Sequence, residues 1–122
     1  MPGTVHELLK KRATGTPNTI ALVDDRRKLS FADWWRVSCH IAFMLQKAGV
    51  QKGYVVGVVS DRSSFLPCSF IAISMLGAEF VSMNPDWPLQ ERMRVFGRWS
   101  DRLVLTDIEY FSLSNQHILF FF

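Results

Sequence analysis

Cysteine is scarce: Cys39 and Cys68 are the only two in 122 residues, too few and too isolated for a disulfide framework or a Cys-x-x-Cys metal or redox site. A reducing, cytoplasmic setting is therefore expected. The opening Met1-Pro2-Gly3-Thr4-Val5-His6-Glu7 has no apolar run behind a basic start, so no secretory signal is expected. Long hydrophobic runs are missing as well. Phe65 to Ala78 stops short of the ~20 residues that a membrane-spanning helix needs and contains Pro67, Ser69 and Ser74, and His117 to Phe122 is shorter still. No membrane association is expected. Charge of one sign is in only mild excess, with 14 Lys and Arg against 11 Asp and Glu, a formal charge of +3 and a pI near 9.1. That is not a polyanion-binding composition, and nucleic acid is not expected as a partner. At 48% hydrophobic and 20% charged residues, intrinsic disorder is excluded, and the length fits one domain at most.

What is present is an alternation of periods. Val5 to Arg12 predicts a short amphipathic helix with Val5, Leu8 and Leu9 inward, stopped by Thr14-Gly15-Thr16-Pro17. Ile20-Ala21-Leu22-Val23 and Lys28-Leu29-Ser30-Phe31 flank the polar Asp24-Asp25-Arg26-Arg27 and predict a hairpin. From Phe31 to Ala48, apolar residues recur at helical spacing and Gly49 is placed to stop the helix. That helix is apolar nearly all round, Cys39, Phe43 and Met44 filling its other side. Val55-Val56-Gly57-Val58-Val59 reads as a strand covered on both faces. A helix from Ser63 or Ser64 through Leu76 follows, with Pro67 in its first turn and Gly77 at its stop. Phe80 to Met83 reads as a strand, Asn84 to Pro88 as a turn, Glu91 to Trp99 as a helix and Leu103 to Thr106 as a strand. The fold class is α/β: a partial parallel sheet with a mixed edge, flanked by helices.

Ligands of such sheets bind beyond the carboxyl ends of the strands, which points to the loops after Val59, Met83 and Thr106. These loops are poor in catalytic equipment. Ser60-Asp61-Arg62-Ser63-Ser64 lacks the glycines that let a backbone approach pyrophosphate. Ser63 and Ser64 could hold an anion beside Arg62, but helix capping explains them more simply. His6, His40 and His117 have no metal-ligand spacing. Adjacent helical residues point about 100° apart, so Cys39 and His40 cannot pair as nucleophile and base. Asp24 and Asp25 read as solvated turn residues, and Lys10-Lys11-Arg12 and Arg92, Arg94 and Arg98 as exposed helix faces. No catalytic, cofactor-binding or metal-binding residue is assigned.

Two segments, in order and at spacing, resemble the AMP-forming acyl-activating enzymes: nonribosomal peptide synthetase adenylation domains, acyl-CoA synthetases and their luciferase relatives. Leu29-Ser30-Phe31-Ala32-Asp33-Trp34 is similar to the family's Leu-Thr/Ser-Tyr-x-Glu-Leu, with Trp34 in place of Leu. Leu76-Gly77-Ala78-Glu79-Phe80-Val81-Ser82-Met83-Asn84-Pro85-Asp86-Trp87-Pro88 resembles Lys-Ala-Gly-x-x-Tyr-Val-Pro-Leu-Asp-Pro-x-Tyr-Pro, with Met75 and Leu76 replacing Lys-Ala and Ser82 the first Pro. Flanking likenesses begin at Val5 to Leu9, include Gly53 to Val58, and end at Leu103 to Asp107.

The resemblance implies that residues 1–107 are the N-terminal part of an incomplete adenylation domain and that 108–122 are a divergent apolar tail. It implies a parent enzyme that uses ATP and Mg to convert a carboxylic acid to an acyl-adenylate and then passes it to a coenzyme A or carrier-protein thiol. In that family the Ser/Thr/Gly-rich phosphate loop, the ribose-binding acid and the C-terminal lysine lie downstream of the matched region. No Ser-Gly-Thr-Thr-Gly-like loop occurs in this chain, so it is expected to hold no cofactor and to be inactive alone. Trp35, Phe43 and the tail would then face the missing remainder. The alternative is a non-catalytic interaction module whose apolar surface binds a related ligase or another protein.

Overall fold

The computed structural model describes residues 4–60, 64–83, 86, 94, 102–106 and 118–120. Helix α1 (Val5–Gly15) starts where the Thr4 hydroxyl accepts the Glu7 N–H at 3.4 Å. It runs a turn beyond the expected Arg12, because Thr14 bonds the Lys10 carbonyl at 3.0 Å and the Thr16 N–H reaches Arg12 O at 2.8 Å. Only Leu9 is buried. Val5 and Leu8, expected inward, are 43% and 55% exposed, since the helix lies across α2 and α3 on a narrow contact.

Strands β1 (Ile20–Val23) and β2 (Lys28–Ser30) form the expected antiparallel pair, as a two-stranded sheet of their own. The chain then enters α2 (Phe31–Lys47) through a capping box: Ser30 Oγ accepts the Asp33 N–H, and Asp33 Oδ2 accepts the Ser30 N–H, both at 3.1 Å. The first motif of the family resemblance is thus a helix start. At the other end Gly49 takes φ +97°, and its N–H and that of Val50 return to Gln46 O and Leu45 O at 3.1 and 3.0 Å.

Strand β3 (Val55–Val59) leads to α3 (Phe65–Met75), which Gly77 (φ +70°) stops with the same pair of bonds, and the chain returns as β4 (Glu79–Met83). Strands β5 (Arg102–Thr106) and β6 (Ile118–Phe120) complete a sheet in the order β4-β3-β5-β6, every pair parallel. The hydrophobic pattern predicted no strand at 118–120, where three residues are too few to show a period. The expected helix at Glu91 to Trp99 lies outside the described residues except for Arg94, which is helical and exposed.

One core cluster joins Ile41 and Leu45 of α2, Phe65, Cys68, Ala72 and Ile73 of α3, and Val56, Val58, Leu103 and Leu105 of the sheet. Val55, Val59, Val104 and Thr106 alternate with these strand residues and are also buried, so the central strands are shielded on both faces. Phe43, on the other side of α2, is 57% exposed, with Lys47 Nζ 5.3 Å from its ring centroid.

Candidate functional site: the carboxyl edge of the sheet

The register Met83–Val59–Thr106–Phe120 ends all four strands on one line. With strands about 4.8 Å apart, that edge is roughly 14 Å long. From β3 the chain leaves toward β4 on one side, and from the adjacent β5 toward β6 on the other, so the connections diverge between Val59 and Thr106. This is the switch point at which open parallel sheets receive ligands. Here the fully buried Thr106 hydroxyl is spent on protein, donating to the Val59 carbonyl at 2.8 Å.

The second feature of the edge is the N-terminus of α3. Ser64 is 2% exposed, yet its hydroxyl makes no capping bond to its own helix. It donates instead to Asp24 Oδ2 in the β1–β2 turn, and Arg27 Nε donates to Ser64 Oγ at 3.5 Å. Asp24 Oδ1 meanwhile accepts the Arg26 and Arg27 N–H groups at 2.8 and 2.9 Å. This geometry corrects one expectation and refines the other: Ser64 is not a side-chain cap, and Asp24, a half-exposed turn residue, is hydrogen-bonded to protein. Asp25 is exposed, as expected; Asp61, Arg62 and Ser63 lie outside the described residues.

Chiefly the Ser64 hydroxyl, with the Arg26, Arg27 and Ser64 backbone N–H groups, holds the Asp24 carboxyl at about 2 against an ordinary 3.8. Asp33 is also lowered, by the Ser30 N–H first and then by the Ser30 hydroxyl and Arg36, whose Nη2 lies 2.8 Å from Asp33 Oδ1. A carboxyl depressed in the folded state binds its proton more readily when unfolded. The stability it contributes is complete above 3.8 and is lost as the pH falls toward 2. We expect the urea midpoint to drop through that window, and to drop less in Asp24→Asn; equal slopes would show that Asp24 is unpaired in solution.

The other singled-out groups do not converge on this edge. His6 links Thr4 Oγ1 (3.1 Å) to Ser74 Oγ (3.4 Å), tying α1 to α3. Burial raises the thiols of Cys39 and, to about 11, of Cys68, which keeps both protonated and unreactive at neutral pH. Among the described residues no group of three His, Cys, Asp or Glu could hold a metal ion, and no helix is long and apolar enough to cross a membrane. Cavities of about 540 and 480 Å³ flank α1, lined by Leu8, Lys11, Arg12, Gly15 and Thr16 and by Glu7, Lys10, Lys11, Thr14 and Gly15; among the described residues no strand end lines either.

A parallel α/β sheet flanked by helices, entered through an antiparallel pair and a capped helix, is the fold class. Residues 9–118 match the AMP-binding enzyme family, and the chain belongs to it. The match runs past Asp107, where the motif resemblance ends, as far as the first residue of β6. Gramicidin S synthase 2 of Brevibacillus brevis is 33% identical over 88 residues, 72% of this chain but 2% of the synthase. The N-terminal subdomain of Klebsiella oxytoca NpsA superposes with a TM-score of 0.83 at 23% identity, over 98% of this chain and 32% of that subdomain. The O-succinylbenzoate coenzyme A synthetase of Bacillus subtilis, solved with AMP, superposes with a TM-score of 0.80 at 23% identity, over 92% of this chain and 30% of that one. The chain therefore spans a small part of its curated relatives and about a third of the solved chains.

Proposed function

We propose that this chain is the opening scaffold of an ATP-dependent ligase that activates a carboxylic acid as an acyl-adenylate and delivers it to a thiol of coenzyme A or a carrier protein. The observation that carries the reading is a switch point in a parallel α/β sheet, with a family match over 9–118, whose described Thr106 and Ser64 hydroxyls are already paired to protein. ATP and Mg would serve the whole ligase, but no described residues of this chain are arranged to hold them. The loop after β3 has no glycine, the Ser64 hydroxyl is taken by Asp24, and no described cluster suits a metal. What 1–107 supplies is position: strands ending flush, on which nucleotide- and acid-holding segments farther along a longer polypeptide would be mounted. Residues 108–122 remain a divergent tail in this proposal, although β6 pairs with the sheet.

ATP–pyrophosphate exchange is the test. The chain alone should give only background exchange with any amino or aryl acid. Replacing the corresponding segment of a working adenylation domain with residues 4–106 should leave exchange measurable. Exchange by the chain alone, or a folded chimaera without activity, would overturn the reading. A non-catalytic interaction module is the second reading, favoured by the exposure of Val5, Leu8, Val23 and Phe43. It requires a related ligase to co-purify in stoichiometric amount.

A further inference from the structure

The narrow contact that buries only Leu9 of α1 leaves an apolar groove beside that helix. Val5 and Leu8 of α1, both exposed, line it together with Phe31 and Trp34 of α2 and the buried Ile71 of α3. The Phe31 and Trp34 rings are stacked, 6.3 Å apart and inclined by 19°, so α2 contributes a continuous aromatic surface. The groove encloses about 190 Å³, and a cavity of ~150 Å³ takes a benzene ring, so there is room for one large apolar side chain. Leu8 and Arg12 also border the 540 Å³ cavity beside Thr16, so the depression runs on along α1 from Val5 to Thr16, about 16 Å.

The groove has one charged lining residue among those described. Exposed Arg12 stands one helical turn from Leu8, and no described carboxylate pairs with its guanidinium. Glu7, the one acid of α1, borders the other cavity instead. An apolar slot with a cation about 6 Å along the helix complements an apolar side chain and a carboxylate at the same separation. The exposed surface of Val5 and Leu8 extends past the slot, an area that a polypeptide covers and a single small molecule does not.

We propose that this groove docks a segment of a separate polypeptide, which inserts one large apolar side chain against the Phe31–Trp34 pair and sets an Asp or Glu, one helical turn away, against Arg12. No described strand residue lines the groove, and Val5 and Leu8 precede the matched residues 9–118. The site thus lies apart from the carboxyl edge of the sheet and rests on neither functional reading above.

Selection of phage-displayed random peptides on the full chain is the test. Enriched peptides should share a large apolar residue with an acid three or four positions away. A fluorescein-labelled synthetic peptide carrying that pair should then bind saturably by anisotropy. Leu8→Ser, at an exposed position, should weaken binding roughly tenfold without lowering Tm. Arg12→Glu should weaken it to a similar degree, and a peptide with lysine in place of its acid should bind Arg12→Glu but not the unaltered protein, a reversal that mere loss of helix stability does not produce. Should Arg12→Glu fail to fold, Arg12→Gln is measured in its place and should lose the preference for the peptide's acid over the corresponding amide; an undiminished preference overturns the proposal. It is equally overturned if no peptide is enriched, or if Leu8→Ser and Arg12→Glu leave the binding of the enriched ones unchanged. A concentration-dependent dimer of the unaltered chain that Leu8→Ser dissociates also overturns it, because a second copy is then the occupant.

Discussion

Truncating Phe65 to alanine should cost about 3–5 kcal/mol, enough to remove a large share of the roughly 5–15 kcal/mol that holds a domain folded. Phe65 is fully buried at the first position of α3 and belongs to the cluster that joins both helices to the sheet. Its removal leaves a hole where α3 meets the carboxyl edge, next to the Asp24–Ser64 contact, so local collapse would require that contact to shift. Phe70, on the same helix, is the internal control. It is 43% exposed and meets Phe80 edge-to-face at 5.6 Å, a contact worth about 1 kcal/mol. Urea unfolding should show the Phe65→Ala midpoint falling several times further than that of Phe70→Ala with little change in slope. Equal losses would mean that α3 does not bury the face described here.

The same helix illustrates what could be read from the chain and what could not. Its apolar residues on all sides, Phe65, Cys68, Ile71, Ala72 and Ile73, announced a buried helix, and Gly77 announced its end, because positive φ after a helix is a local, one-residue requirement. The β-branched run Val55 to Val59 announced a doubly covered strand for an equally local reason. The capping box at Ser30 and Asp33 was there to be found as Ser-x-x-Asp, inside a motif read only for its family likeness. The Asp24–Ser64 contact was not there to be found. It joins residues 40 positions apart, and nothing in the composition of either turn specifies the other.

Leu8 failed for a different reason. Its spacing from Val5 and Leu9 fits an inward stripe, but the surface that α1 meets is narrow enough to cover Leu9 alone. Periodicity tells which residues share a face, not how wide the opposing surface is. The site follows the same division. The resemblance placed the chain in its family, and alternation of strands and helices pointed to the loops after Val59, Met83 and Thr106 as the place to seek a site. Whether polar groups there were free or already paired depended on Thr106 reaching Val59 and on Asp24 reaching Ser64, both tertiary contacts.

Placing a charge in the sheet should have the largest effect of all. Val56 has no exposed surface, lies opposite Phe80 in β4 and Leu103 in β5, and belongs to a cluster with no charged member. An aspartate at that position would have no described cation to pair with, and an unpaired buried ion costs at least several kcal/mol. Val56→Asp should therefore show no cooperative unfolding transition at pH 7, whereas Val56→Ala, which loses only volume, should cost about 2 kcal/mol and keep one. The pH dependence should run opposite to that of Asp24. Desolvation raises the folded-state pKa of the new carboxyl above the ~3.9 of the unfolded chain, so the penalty is complete above the folded value and shrinks as the pH falls through it. Acid should thus restore part of the near-ultraviolet signal of Val56→Asp over a range well above the pH 3.8-to-2 window in which protonation of Asp24 weakens the unaltered protein. A Val56→Asp chain that unfolds cooperatively at pH 7 would place β3 at an open edge of the sheet and contradict the β4-β3-β5-β6 order.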